Sequence, residues 1–73
     1  MDLRQLQIFV SLSKTLNFSE TARNSFITQP AVSHHIKSLE MELGTALLYR
    51  KGHKVILTEE GEVFLEHALD ILK

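Results

Sequence analysis

Thr28-Gln29-Pro30-Ala31-Val32-Ser33-His34-His35-Ile36-Lys37-Ser38-Leu39-Glu40-Met41-Glu42-Leu43-Gly44 reads as a helix with both ends marked. Thr28 carries the hydroxyl of an N-cap, which accepts from a free backbone N–H of the first turn. Pro30 falls in that turn, where its missing N–H costs nothing. Gly44 stands where a left-handed C-terminal cap belongs. Val32, Ile36, Leu39 and Leu43 are spaced four, three and four apart, so they line one side and predict a buried stripe. Pro30, Ser33, His34 and Lys37 lie on the opposite arc, with Gln29 projecting from the N-terminal end. A helix with that outer face, preceded by another short helix, is a candidate for lying in a DNA groove.

On the N-terminal side, the pattern predicts a helix from about Asp2 to Lys14. Leu3, Leu6, Phe9 and Val10 form its stripe, and Ile8 and Leu12 widen it. Asn17-Phe18-Ser19 breaks the pattern, and Ser19 is the expected cap of a short helix from about Glu20 to Ser25. Phe26 and Ile27 form the turn into Thr28. Two helices joined by so short a turn make a helix-turn-helix, with the second as the reader.

On the C-terminal side the period changes. Leu47-Leu48-Tyr49-Arg50 and Val55-Ile56-Leu57 are strand-like runs around the basic tip Lys51-Gly52-His53-Lys54, which predicts a hairpin, or wing. Thr58 is the expected cap of a last helix, where Glu59, Glu60 and Glu62 complement the positive end of the dipole. Gly61 in its first turn costs about 1 kcal/mol against alanine. It marks either a close approach to a neighbouring helix or a glycine that is simply tolerated.

The last helix has two adjacent apolar stripes, Phe64, Ala68 and Ile71 beside Leu65, Leu69 and Leu72. Together they span an arc of roughly 160°, wider than the ~100° needed to meet one core. Two partners are therefore expected, the chain's own domain and a second copy, and these six residues form the predicted dimer set. Deeper burial within one chain is the competing reading. The sequence stops inside the pattern without a capping residue, which points to a fragment of a longer protein.

With 73 residues, the chain is one small domain that hides only about 60% of its unfolded surface, so self-association would add useful stability. It has no cysteine, hence no disulfide framework and no cysteine-based zinc site, which fits a reducing cytoplasm. No run approaches the roughly 18 apolar residues of a membrane span, and Met1 to Lys14 is amphipathic, unlike a signal peptide. A soluble protein with no membrane partner is expected. The net charge of −1 conceals an asymmetry: residues 4–54 carry seven basic and three acidic side chains, whereas residues 55–73 carry one and five. The basic part suits phosphates and the acidic end would stay away from them, although chance scatter would read the same way.

Neighbouring His34 and His35 point ~100° apart on a helix and do not readily share an ion, so no metal is expected. Ser33 beside His34 has no orienting acid or oxyanion pocket, so no catalytic residue and no cofactor is assigned. His34 points outward, as a DNA contact or a solvated side chain. His35 borders the apolar stripe as a packed group, and His67 is a surface or interface group. Arg4, Lys14 and Arg23 suit either phosphates or solvent, with Arg23 best placed because the first helix of the motif crosses the DNA backbone. The competing class is a protein-interaction module, since winged helices also serve protein contacts.

These residues resemble the N-terminal DNA-binding domain of LysR-type transcriptional regulators. The likeness runs through MDLRQLQIFV at 1–10, NFSETA at 17–22, TQPAVSHHIKSLEMELG at 28–44, LLYRKGHKVILT at 47–58 and the helix start TEEG. No element is diagnostic alone, but the ordered series is specific and covers essentially the whole chain without a gap. The resemblance implies a mainly α fold with a small β-hairpin: a winged helix-turn-helix over residues 1–58, then a long linker and dimerisation helix from 59 to 73. It implies a homodimer through that helix, a tetramer in some full-length proteins, partly palindromic promoter sites, and a C-terminal domain, absent here, that senses a small-molecule effector. Carried over by position, the reader is Thr28, Gln29, Pro30, Ser33, His34 and Lys37. Gln29 matches the family's base-contacting glutamine, and glutamine can also pair bidentately with adenine. The wing set is Arg50, Lys51, His53 and Lys54, with Arg50 matching the arginine of the family's Leu-Phe-x-Arg run. His53 stands where many relatives carry arginine. Ser25 replaces a typical leucine, with Phe26 expected to fill the space, and Leu48 replaces a common phenylalanine.

Overall fold

The computed structural model describes all of residues 1–73 as α1 (Leu3–Thr15), α2 (Phe18–Ser25), α3 (Gln29–Leu43), β1 (Leu48–Lys51), β2 (Lys54–Leu57) and α4 (Glu59–Ile71). Four helices thus surround one core, and a two-stranded antiparallel hairpin leans on it between α3 and α4.

Local cap chemistry explains where each helix starts. Asp2 accepts from the Gln5 N–H at 2.8 Å, Thr28 from Ala31 at 3.2 Å and Thr58 from Gly61 at 2.9 Å, each satisfying a donor that the first turn leaves free. The start of α2 differs from expectation. Asn17, not Ser19, is its cap, accepting from Glu20 N–H at 2.8 Å, so the helix begins at Phe18. Starting there brings Phe18 against the core, whereas a cap at Ser19 would leave that ring outside the helix. At the other ends, Gly44 takes the expected left-handed conformation with φ of 73°. Leu16 and Phe26 take it as well, at φ of 51° and 58°, at a cost of about 1–2 kcal/mol for side chains with a Cβ.

The core is built mainly by α1, whose Leu6, Ile8, Phe9, Val10 and Leu12 are all buried, together with Ala22, Val32, Ile36, Leu39, Leu47 and Ala68. Each fully buried aliphatic side chain stabilises the fold by roughly 1.5–3 kcal/mol. The predicted α3 stripe is inside as far as Leu39, while Leu43, in the last turn, is left at the exposed margin. Phe9 and Phe64 meet with ring centroids 5.4 Å apart and a tilt of 56°, the geometry aromatic pairs prefer. Phe26 does not fill the space beside Ser25. It is 94% exposed, and the Arg4 guanidinium instead donates to the Ser25 carbonyl at 2.8 Å, which engages Arg4 within the fold.

The hairpin turn is two residues shorter than expected, one on each strand. Lys51 pairs with Lys54, Arg50 with Val55, Tyr49 with Ile56 and Leu48 with Leu57, leaving only Gly52-His53 as the turn. Gly52 has φ of 65° and His53 a negative φ, the sign pattern of a type II′ turn, whose first central position favours glycine. Leu47, just before β1, is fully buried and anchors the hairpin: its carbonyl accepts from Thr58 N–H at 2.9 Å, and the Thr58 hydroxyl donates to the Ala46 carbonyl at 2.7 Å. Gly61 lies directly against this anchor. A Cβ there would stand 2.1 Å from the Leu47 carbonyl oxygen, so the glycine serves a close approach, to the strand entrance and not to a helix.

Candidate nucleic-acid interface

The burial of Val32, Ile36 and Leu39 turns the opposite arc of α3 outward. Thr28, Gln29, Pro30, His34 and Lys37 are exposed, and Ser33 is half-buried on the side facing the wing. Thr28 uses its oxygen to cap the helix and keeps its hydroxyl hydrogen to donate elsewhere. The Ser19 hydroxyl, freed from the capping role expected of it, donates to Gln29 Oε1 at 3.4 Å. That long contact steadies Gln29 at the N-terminal end of α3 while leaving its amide N–H groups free to donate. His34 and His35 diverge as their spacing requires, with ring centroids 6.1 Å apart and planes at 63°. His35 is half-buried beside the apolar stripe, and His67 is exposed on α4.

The four wing residues, Arg50, Lys51, His53 and Lys54, are all exposed. Arg50 is held in place by aromatic stacking, its guanidinium carbon 5.4 Å from the centroid of Phe18 at the start of α2, a cation–π distance. Lys51 and Lys54 face one another across the closing pair of the hairpin. Like charges in that position are destabilising in the free protein, and a polyanion laid over the tip relieves the repulsion. Between α3 and the wing lies a cleft of about 190 Å³ lined by Ser33, Lys37, Tyr49 and Arg50, with Glu40 and Ile36 deeper in. The fold therefore brings Lys37 of the helix and Arg50 of the wing onto the walls of one groove, whereas Lys51, His53 and Lys54 do not line it. Arg23 is exposed on α2.

Two residues of this region are not among the expected interface residues, Glu40 being expected only to serve helix packing and solubility. Tyr49 sits on the cleft wall, half exposed. Glu40 accepts from the backbone N–H of Leu47 at 2.7 Å and of Leu48 at 3.3 Å, tying α3 to the entrance of β1. Neither was legible, because both depend on a turn that folds the strand back over the helix.

On α4 the six residues of the predicted dimer set separate. Ala68 is fully buried in its own chain, and Phe64, Leu65 and Leu72 pack half-buried on the same core. Leu69 and Ile71 remain 47% and 56% exposed, as does Val63, which was outside the set. The middle of the wide apolar arc thus serves the chain itself and its two edges are free.

Comparison with known proteins agrees with this architecture. Residues 3–62 match the model of the bacterial regulatory helix-turn-helix protein, lysR family. The HTH-type transcriptional regulator CitR of Bacillus subtilis is 44% identical over 72 residues, covering 99% of this chain and 25% of that protein. The Hca operon transcriptional activator HcaR of Escherichia coli is 44% identical over 73 residues, covering 100% of this chain and 25% of that protein. Among solved structures, the CbnR DNA-binding domain in complex with DNA superposes with a TM-score of 0.93 at 35% identity, over 99% of this chain and 83% of that one. The BenM DNA-binding domain in complex with catB site 1 DNA gives 0.92 at 39% identity, over 99% and 77%. The chain spans about a quarter of the length of the curated relatives it matches. With a family model matched over most of its length and the reader, wing and last helix in the matching fold, the chain belongs to the lysR family of bacterial regulatory helix-turn-helix proteins.

Proposed function

We propose that this domain binds double-stranded DNA sequence-specifically as part of a bacterial transcriptional regulator of LysR type. In this reading α3 enters the major groove, the wing lies at the adjacent minor groove or backbone, and α4 helices pair two copies across a two-fold axis over a partly palindromic site. The observation that carries it is the likeness, over nearly the whole chain, to DNA-binding domains solved on DNA. The convergence of Ser33, Lys37 and Arg50 on one cleft supports it. Gln29 reads a base edge, with Pro30 and His34 beside it. Thr28, Ser33, Lys37, Arg23 and the wing cations position the duplex through its phosphates. Residues 1–58 form the DNA-binding unit and 59–73 the start of a linker and dimerisation helix. An effector acts through a further domain of the whole protein.

No helix is long and apolar enough to cross a membrane, and the relatives are named as transcriptional regulators. A cytoplasmic, non-enzymatic role follows from this proposal.

Selecting bound sites from a random duplex library tests the reading. The expected product is a motif of two related half-sites. Gln29→Ala is expected to cost roughly 1–3 kcal/mol and to relax preference at one base pair of each half-site. Equal weakening on every sequence would remove Gln29 from base reading, and the absence of any enriched motif would sink the sequence-specific function.

A further inference from the structure

Glu40 is the one carboxylate lining the cleft between α3 and the wing, and it is aimed at backbone instead of at the cations beside it. Its Oε2 accepts from the N–H groups of Leu47 at 2.7 Å and Leu48 at 3.3 Å. Hydrogen bonds to an ionised acceptor are roughly twice as strong as neutral ones. Lys37 and Arg50 line the same cleft, yet neither pairs with Glu40. The ion pairs of the structure are Met1 amine with Glu42 and Lys73 with Asp70, and Arg50 lies over Phe18. Backbone donors engage Oε2 of Glu40, and neither Lys37 nor Arg50 is paired with an acid.

The same contacts decide where the wing stands. A two-stranded hairpin of four-residue strands holds little shape by itself, so its orientation depends on what grips its ends. Thr58 grips the entrance through Ala46 and Leu47, and Glu40 grips it from the reading helix. We propose that Glu40 is a positioning residue for DNA binding, setting the wing against α3 so that the cations of both meet one DNA backbone together. This rests on the DNA-binding function proposed above. Glu40 touches no DNA in this account; it acts through Lys51, Lys54 and Arg50.

The test is a double-mutant cycle between Glu40 and the wing, read by fluorescence anisotropy on a labelled mixed-sequence duplex over a range of salt, with thermal melts alongside. In the wild-type protein, joint Lys51→Ala and Lys54→Ala is expected to weaken binding about ten-fold and flatten the salt slope by about 0.9 per lost phosphate contact. Glu40→Ala, with its lysines intact, is expected to lose about ten-fold as well, and the lysine pair then to matter by less than about three-fold. Glu40→Gln keeps an acceptor oxygen and falls between, and it carries the cycle if Glu40→Ala melts too low. A role confined to stability would lower the melting temperature and leave the two effects multiplying; that result overturns the assignment. Absence of wild-type binding at low salt would overturn the DNA-binding function itself, and this assignment with it.

Discussion

Gly61→Ala is expected to destabilise the domain by about 2–3 kcal/mol or more, although it replaces the poorest ordinary helix former with the best. On propensity alone the change would gain up to about 1 kcal/mol inside a helix. The new methyl, however, would stand 2.1 Å from the Leu47 carbonyl oxygen and 3.0 Å from its carbon. That carbonyl has no room to yield. The Leu47 side chain is fully buried, its oxygen accepts from Thr58 and its N–H donates to Glu40. Relief must come from moving α4 off the strand entrance, which disturbs Phe64 against Phe9 and Ala68 in the core. In a domain of 60–100 residues, each kcal/mol shifts the melting temperature by roughly 4–8 °C, so a fall on the order of 10–20 °C is expected in a thermal melt followed by circular dichroism. Gly52→Ala is the informative comparison: nothing lies within 4 Å of a Cβ there, and only the φ of 65° is strained, for about 1–2 kcal/mol. A Gly61→Ala protein that melts at or above the wild-type temperature would refute the close approach.

The second large effect is expected on α4 at Leu69 and Ile71. Replacing both with aspartate should leave the fold intact, because neither belongs to the buried core, yet reduce affinity for a two-half-site duplex by about 10²–10⁴-fold. The size of the loss comes from linkage. Once one protomer is bound, the second binds at a high effective concentration only if the two are joined. Each apolar side chain buried in such a joint contributes up to roughly 1.5–3 kcal/mol. Two residues apart, Leu69 and Ile71 lie on opposite edges of the helix, so single substitutions identify the edge that a partner covers. Ala68→Asp is the contrast, since Ala68 is fully buried and an unpaired charge there would unfold the chain rather than separate two copies. Sedimentation velocity alongside binding titrations checks the expectation; a variant that remains a dimer and binds with undiminished affinity would remove these residues from the joint.

What was legible in the sequence follows from how local each determinant is. Thr28, Gly44 and Thr58 mark their helix ends by chemistry confined to a few neighbouring residues, and each behaves as its type predicts. Asn17 and Ser19 are both competent caps two residues apart, and the choice falls to Asn17 where it lets Phe18 pack. The branched residues make the hairpin evident, but the glycine and the basic run predict a four-residue tip, and the pairing of Lys51 with Lys54 extends both strands into it. With Ser25 in place of a typical leucine, the neighbouring Phe26 is the expected filler of that space. The turn between α2 and α3 turns it to solvent instead. The breadth of the apolar arc on α4 was visible, whereas its division into an inward middle and free edges depends on where α1 lies. For the interface, helical spacing placed the outer face of α3 and family resemblance named its residues. The cleft they share with the wing arises only when Glu40 and Thr58 fold the strand entrance back.

That α3 and the wing together hold DNA is tested most directly by an anisotropy titration of the protein with a mixed-sequence duplex at low and moderate salt. If cations from the helix and wing of two protomers make some six to ten phosphate contacts, binding should be firm at about 50 mM salt and weaken by about 10³–10⁵ at about 200 mM. No binding at the lower salt, or binding indifferent to salt, would contradict it.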